Sequence, residues 1–132
     1  MKFVDAIQID TGGPSAEGTF FVEPDADYLK DHFPGFPMLP GLLMLEVSVR
    51  TAAALWAASA SPPRHGAVLE HLDRLQVVRR VAPGETLRVQ VRGSRNPGEP
   101  ASASFTARGS VEDQTALRAR FRLRAATQEV RR

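Results

Sequence analysis

The segment Leu117-Arg118-Ala119-Arg120-Phe121-Arg122-Leu123-Arg124 alternates without a fault between apolar residues and arginine. That period suits an extended strand, in which every second side chain meets a core and the others stand in water. Upstream, Ala103, Phe105, Ala107 and Val111 alternate with Ser102, Ser104, Thr106, Arg108 and Ser110, and Leu87, Val89 and Val91 with Arg88, Gln90 and Arg92. Strands with one dry and one wet face predict an antiparallel sheet, because a parallel sheet is covered on both faces. Asn96-Pro97-Gly98 and Glu112-Asp113-Gln114 read as the turns between these strands, and Pro83-Gly84 as another. Val68 to Val78 reads as a further strand. Nearer the start, residues 2–10 read as a strand, Thr11-Gly12-Gly13-Pro14 as a turn, and Thr19 to Glu23 as a strand pairing back onto the first.

One segment breaks the pattern. From Leu42 to about Ser59 there is no proline or glycine, and Pro40-Gly41 suits a helix entry. Leu42, Leu43, Leu45, Val49, Ala52, Ala53, Leu55 and Trp56 cover nearly every face, which predicts a buried helix. Ser61-Pro62-Pro63 stops it. The stretch Leu39–Ala60 could cross a bilayer by length, but Glu46 and Arg50 near its middle argue against that. The fold class these elements suit is α+β, with one long helix against one curved antiparallel sheet. A single sheet cannot surround such a helix, so a second subunit is expected on its remaining surface.

The 132 residues suit a single domain, 1–132, with 127–132 as a frayed tail. There is no cysteine, which removes disulfides and thiolate chemistry. No metal site is expected, since no paired His spacing occurs. The N-terminal MKFVDAIQID has no long apolar run and is not read as a secretory leader, so a cytoplasmic location is expected. Net charge is +2, yet arginine outnumbers lysine fifteen to two. An arginine-rich surface can meet nucleic acid, anionic lipid or an acidic protein. Frequent Ala and Arg also follow from a GC-rich genome.

The stretch DHFPGFPMLPGLLMLEV, residues 31–47, carries the chemistry. An imidazole is the usual general base, and His32 precedes a loop stiffened by Pro34, Gly35 and Pro37, so it suits that role. Glu46 stands in an apolar run, where a carboxyl that keeps its proton can act as a general acid. If exposed, it would instead pair with Arg50 one turn on. Gly41 begins the helix, where free N–H groups attract an anion or a polarised carbonyl. Base, acid and oxyanion donor together suit proton abstraction α to a carbonyl with loss of a β leaving group.

The run HFPGFPMLPGLLMLE closely resembles the signature of the hot-dog-fold 3-hydroxyacyl-[acyl-carrier-protein] dehydratases of the FabZ type, H-F-P-G-x-P-x-x-P-G-x-L-x-x-E. Its fixed positions are met from His32 through Gly35, Pro37, Pro40, Gly41 and Leu43 to Glu46. A weaker likeness covers LEHLDRLQVVRRVAPGETLRVQV, where Leu69, Leu72, Asp73, Arg79, Pro83, Gly84 and Leu87 fall in matching places. The resemblance implies a hot-dog fold, a long central helix wrapped by the sheet. It also implies dehydration of a 3-hydroxyacyl thioester to the trans-2-enoyl thioester, in fatty acid or polyketide and polyene biosynthesis. His32 would take the α-proton, and Glu46 from the other subunit would protonate the departing hydroxyl. The Gly41 N–H would bind the thioester carbonyl, and a backbone carbonyl near Met38 would hold the other histidine nitrogen. No cofactor is implied beyond the phosphopantetheine of the carrier. The implied partners are acyl carrier protein, greeted by Arg74, Arg79, Arg80 and Arg95, and a second hot-dog chain in a homodimer or heterodimer. Neither nucleic acid nor a membrane is expected as a partner.

A glutamate at position 46 favours this type over the related enzyme that also isomerises the double bond, which resembles the same motif with aspartate there. Three features depart from the pattern. Arg50 replaces a usual glutamine and would favour ionised Glu46. His71 replaces a usual glycine. The usual N-terminal stretch is mostly lacking. They suit a specialised branch, or an inactive subunit supporting a heterodimeric dehydratase. A hot-dog thioesterase is a further alternative, disfavoured by the His/Glu pair. A basic nucleic-acid module ranks last, since the aromatics are mostly in core-like positions and form no interleaved basic–aromatic stripe.

Overall fold

The computed structural model describes residues 4–10, 15–24, 41–59, 66–95 and 102–125. Within them lie strands β1 (Ala6–Ile9) and β2 (Ser15–Phe21), helix α1 (Gly41–Ser59), and strands β3 (Ala67–Val77), β4 (Thr86–Arg95), β5 (Ser102–Val111) and β6 (Gln114–Ala125). The six strands form one antiparallel sheet in the order β1-β2-β4-β5-β6-β3. The expected turns at 11–14 and 96–98, and the helix stop at 61–63, lie outside the described residues.

Alternation sets the two faces of the sheet. Residues directly opposite in an antiparallel pair point the same way, and the apolar sets align: Val91 with Ala107, Ala107 with Ala119, and Phe105 with Phe121. This face and α1 make the core, in which Phe121, Leu117, Leu123, Leu87, Val89 and Met44 are fully buried. Phe105 stacks on Phe121 at 6.0 Å between ring centroids and meets Trp56 of α1 edge-on at 6.4 Å. Between β5 and β6 the turn is the two residues Glu112 and Asp113, both at positive φ (49° and 68°), the conformation that matches strand twist in a tight hairpin.

Glycine lets the helix come close. A Cβ on Gly18 of β2 would lie 2.1 Å from Thr51 Oγ1. Thr51 and Ser48 are fully buried, and each hydroxyl donates one turn back, to the carbonyls of Val47 (2.8 Å) and Met44 (3.1 Å). The two buried donors are thereby satisfied within the helix.

Three expectations are corrected. The first strand is Ala6–Ile9 rather than 2–10, and residues 1–3 are not described. The second begins at Ser15, not Thr19, and ends at Phe21 rather than Glu23. Ala16, Glu17 and Gly18 are poor strand formers by propensity, but they pair with β1 on one side and β4 on the other. The helix is not buried all round: Leu42 is 73% exposed and Arg50 also faces solvent. The buried side is that of Met44, Leu45, Val47, Ser48, Thr51, Ala52, Leu55 and Trp56.

Candidate active site

Gly41 opens α1. Apart from its helix-entry role, it is small for a packing reason: a Cβ there would lie 3.1 Å from Val77 Cγ2, at the end of β3. The start of the helix is thus pressed against an edge strand, and its first N–H groups have no intrahelical partner.

Glu46 stands on the second turn, on the helix side that carries exposed Leu42 and Arg50. Its side chain is 38% exposed, and Oε2 accepts a hydrogen bond from Arg50 Nε at 2.6 Å. In this chain the carboxylate is therefore ion-paired and half in water, not dry. This chain's own sheet does not supply the dry setting expected from the apolar run, because that face of the helix lies away from it. The pair is weak, however. An exposed pair one turn apart is worth about 0.3–0.5 kcal/mol, little more than a twofold effect, so it is readily exchanged for another partner.

Beside Gly41 runs β3, an edge strand. Leu69 and Leu72 register with inward-facing Leu123 and Phe121, so they point toward the helix side of the sheet. Both remain exposed, as do Val77 and Val78 just beyond. The helix start meets this apolar edge at Val77. His32, Met38 and His65 lie outside the described residues.

The four arginines expected to form a carrier patch have different surroundings. Arg79 Nη2 donates to Glu85 Oε2 at 3.0 Å, while the Ala82 N–H donates to Glu85 Oε1 at 2.8 Å. Those contacts, the backbone one foremost, hold the Glu85 carboxyl below its ordinary range against the opposing effect of burial. Arg79 thus braces the turn containing Gly84 (φ 87°). Arg74 registers with Arg120 and donates to Gln76 at 3.0 Å on the outer, wet side of the sheet. Arg80 is exposed, and the Arg95 side chain is not described. His71 registers with Arg122, also on the outer side, and stands 3.4 Å from Asp73. It faces solvent, away from the helix.

Sequence reasoning missed the exposed apolar edge at β3. Its signal was present, since Val68, Leu69, Leu72, Val77 and Val78 are all in the sequence, but edge position depends on strand order.

Comparison with known proteins gives a consistent picture. The family model of the ApeI-like dehydratases matches residues 8–120. The 3-hydroxyacyl-[acyl-carrier-protein] dehydratase FabZ of Chloroflexus aggregans is 35% identical over 119 residues, covering 88% of this chain and 79% of that protein. The FabZ of Acidiphilium cryptum is 35% identical over 86 residues, 64% of this chain but only 52% of that protein. Among solved structures, the dehydratase heterocomplex ApeI:P of Xenorhabdus doucetiae superposes with a TM-score of 0.63 at 21% identity, covering 87% of this chain and 92% of that one. The last likeness carries the hot-dog fold.

Proposed function

Because this chain belongs to the ApeI-like dehydratase family, we propose that it removes water from a 3-hydroxyacyl thioester on acyl carrier protein, giving the trans-2-enoyl thioester. The observation that supports this most directly is Glu46 itself. It is the acid position of the HFPGFPMLPGLLMLE run, and it projects from the helix side that the chain's own sheet leaves uncovered.

In this reading His32 takes the α-proton, and the electrons of that C–H bond form the new double bond. The β C–O bond breaks as Glu46 gives its proton to the departing oxygen, and water leaves. The Gly41 N–H donates to the thioester oxygen, where negative charge develops. A backbone carbonyl near Met38 orients the imidazole. The protonated imidazole and ionised carboxylate then exchange a proton through solvent to reset. Glu46 must leave Arg50 to carry its proton, and the weakness of that exposed pair makes this inexpensive.

The uncovered side of α1 and the apolar edge of β3 support assembly with a second hot-dog chain, which would extend the sheet and dry the cleft. The acyl chain would lie there, with the phosphopantetheine arm of the carrier entering from outside, in a cytoplasmic setting. Fatty acid synthesis or polyketide and polyene assembly would use the product.

A second reading has one observation in its favour, the Glu46–Arg50 pair. A chain whose acid stays held would supply a helix face but no proton, supporting an active partner in a heterodimer. One assay separates the two. The purified protein is offered 3-hydroxyacyl-carrier protein, and loss of water is followed by mass spectrometry. Turnover that His32→Ala and Glu46→Gln abolish is the expected result. Turnover only after a related hot-dog chain is added favours the supporting subunit. Release of free acid would make the chain a thioesterase.

A further inference from the structure

Beyond the helix side of the sheet, the outer face has its own chemistry. Strand register brings Arg118, Arg120, Arg122 and Arg124 of β6 to this face. Arg108 of β5 stands directly opposite Arg118, and Arg74 of β3 directly opposite Arg120. Like charges in directly opposed positions destabilise a sheet, so the fold carries this arrangement at a cost. Arg88 and Arg92 of β4 continue the array, alternating with Gln90. Between the arginines stand Ser104, Thr106 and Ser110 of β5. The carboxylates on this side lie at its margins: Glu17, which meets Arg88 at 3.5 Å, Asp10 beside Ser15, and Asp73 beside His71. An open groove of about 860 Å³ runs through the array, with Arg74, Arg92, Arg108, Arg118 and Arg120 along it and Asp10 and Glu17 at its β1–β2 rim. The Nε of Arg122 is buried without a hydrogen-bond partner.

We propose that this outer face is a docking surface for an anionic membrane, binding the phosphates of lipid headgroups. Three observations select that occupant. The arginine positions recur every second residue along β6, a backbone repeat of ~6.8 Å, and across the four neighbouring strands β4, β5, β6 and β3, whose backbones are ~4.8 Å apart. This is a two-dimensional array, which matches a plane of headgroups, whereas a nucleic-acid duplex presents phosphates in two lines. The cations are arginines, whose planar fork grips phosphate at two points. The centre of the face is charged, while the centre of a protein–protein interface is depleted of charge. Arginine-rich composition alone admits nucleic acid, anionic lipid or an acidic protein; the two-dimensional array that separates them exists only once the strands are in register. The face lies opposite α1, so docking leaves Glu46 and the helix side accessible. The inference stands apart from the dehydratase reading, and its test does not use turnover.

The full-length protein is sedimented with vesicles of phosphatidylcholine alone or mixed with phosphatidylglycerol, at physiological salt. Binding to the anionic vesicles only is expected. Arg118→Gln with Arg120→Gln should weaken it about fivefold for each arginine removed, with the circular dichroism spectrum and melting curve retained. A single Arg108→Gln gives a second measure should the double variant fail to fold. The proposal is overturned if anionic vesicles are not bound, or if the substitutions leave binding intact. It is also overturned if a short DNA duplex or inorganic tripolyphosphate binds at the same salt more tightly than the vesicles do.

Discussion

Gly18→Ala is the substitution whose effect the geometry determines most closely. The added methyl carbon would sit 2.1 Å from Thr51 Oγ1, 3.3 Å from Thr51 Cβ and 3.4 Å from Cγ2. Two escapes exist. Thr51 can turn about χ1, but its hydroxyl then leaves the Val47 carbonyl (2.8 Å) and is stranded in a fully buried site. That costs about 1–3 kcal/mol, and being β-branched, Thr51 swings another atom toward the new methyl. Alternatively α1 moves off β2 and loosens the core, at about 1–3 kcal/mol. Either route gives roughly 1–3 kcal/mol, and at ~3–4 °C per kcal/mol for a chain this size the Tm falls by ~3–12 °C. The assay is thermal unfolding of Gly18→Ala, Thr51→Ala and the double variant, followed by circular dichroism. The double variant should be no less stable than Thr51→Ala alone, since the two atoms in conflict are then one. Gly18→Ala with Thr51→Ser should show no such rescue, because the hydroxyl remains. A Gly18→Ala protein melting within about 1 °C of the parent, or penalties that simply add in the double variant, would refute the close approach of helix and sheet.

Other consequences follow for the site and its frame. Arg50→Gln should change kcat/KM for dehydration by no more than about twofold, as the exposed pair is weak, whereas Glu46→Gln should lower it about 100-fold or more; a large loss from Arg50→Gln would make Arg50 a required group instead of a competitor. Glu85 keeps its proton less readily than an ordinary carboxyl, whose value is 4.5, so its contribution to stability is full above pH 4.5 and is lost as pH falls through its lower folded value. In urea melts, the parent should exceed Glu85→Gln in stability at neutral pH, and the gap should close in acid. Leu72→Asp, at an exposed edge position, should shift the protein toward single chains in sedimentation velocity while leaving its circular dichroism unchanged; an unchanged mass would remove β3 from any subunit contact.

Local regularities were readable from the amino-acid order. The alternation at 117–124 assigned each of those eight residues to a face, and all eight lie as expected within β6. The helix start at Gly41 and the turn at Glu112-Asp113 were likewise legible, because each depends on residues a few positions apart, although Gln114, read as part of that turn, opens β6. Ser15 to Gly18 were not, since their strand conformation comes from pairing with β1 and β4 and not from propensity. The motif that resembles the dehydratases was legible as a pattern. Whether Glu46 is dry was not, because burial depends on which helix side the sheet covers.

The chain by itself determined which side chains share a face and which residues could serve as acid, base and oxyanion donor, for alternation and helical spacing are properties of neighbours in sequence. Tertiary structure decided that β3 follows β6 and becomes an edge. It also decided that Arg108 confronts Arg118, and that Glu46 meets Arg50 on an uncovered side of α1. The physical reason is the same throughout: hydrogen-bond pairing between strands joins residues far apart in the chain, and only that pairing determines what each face touches.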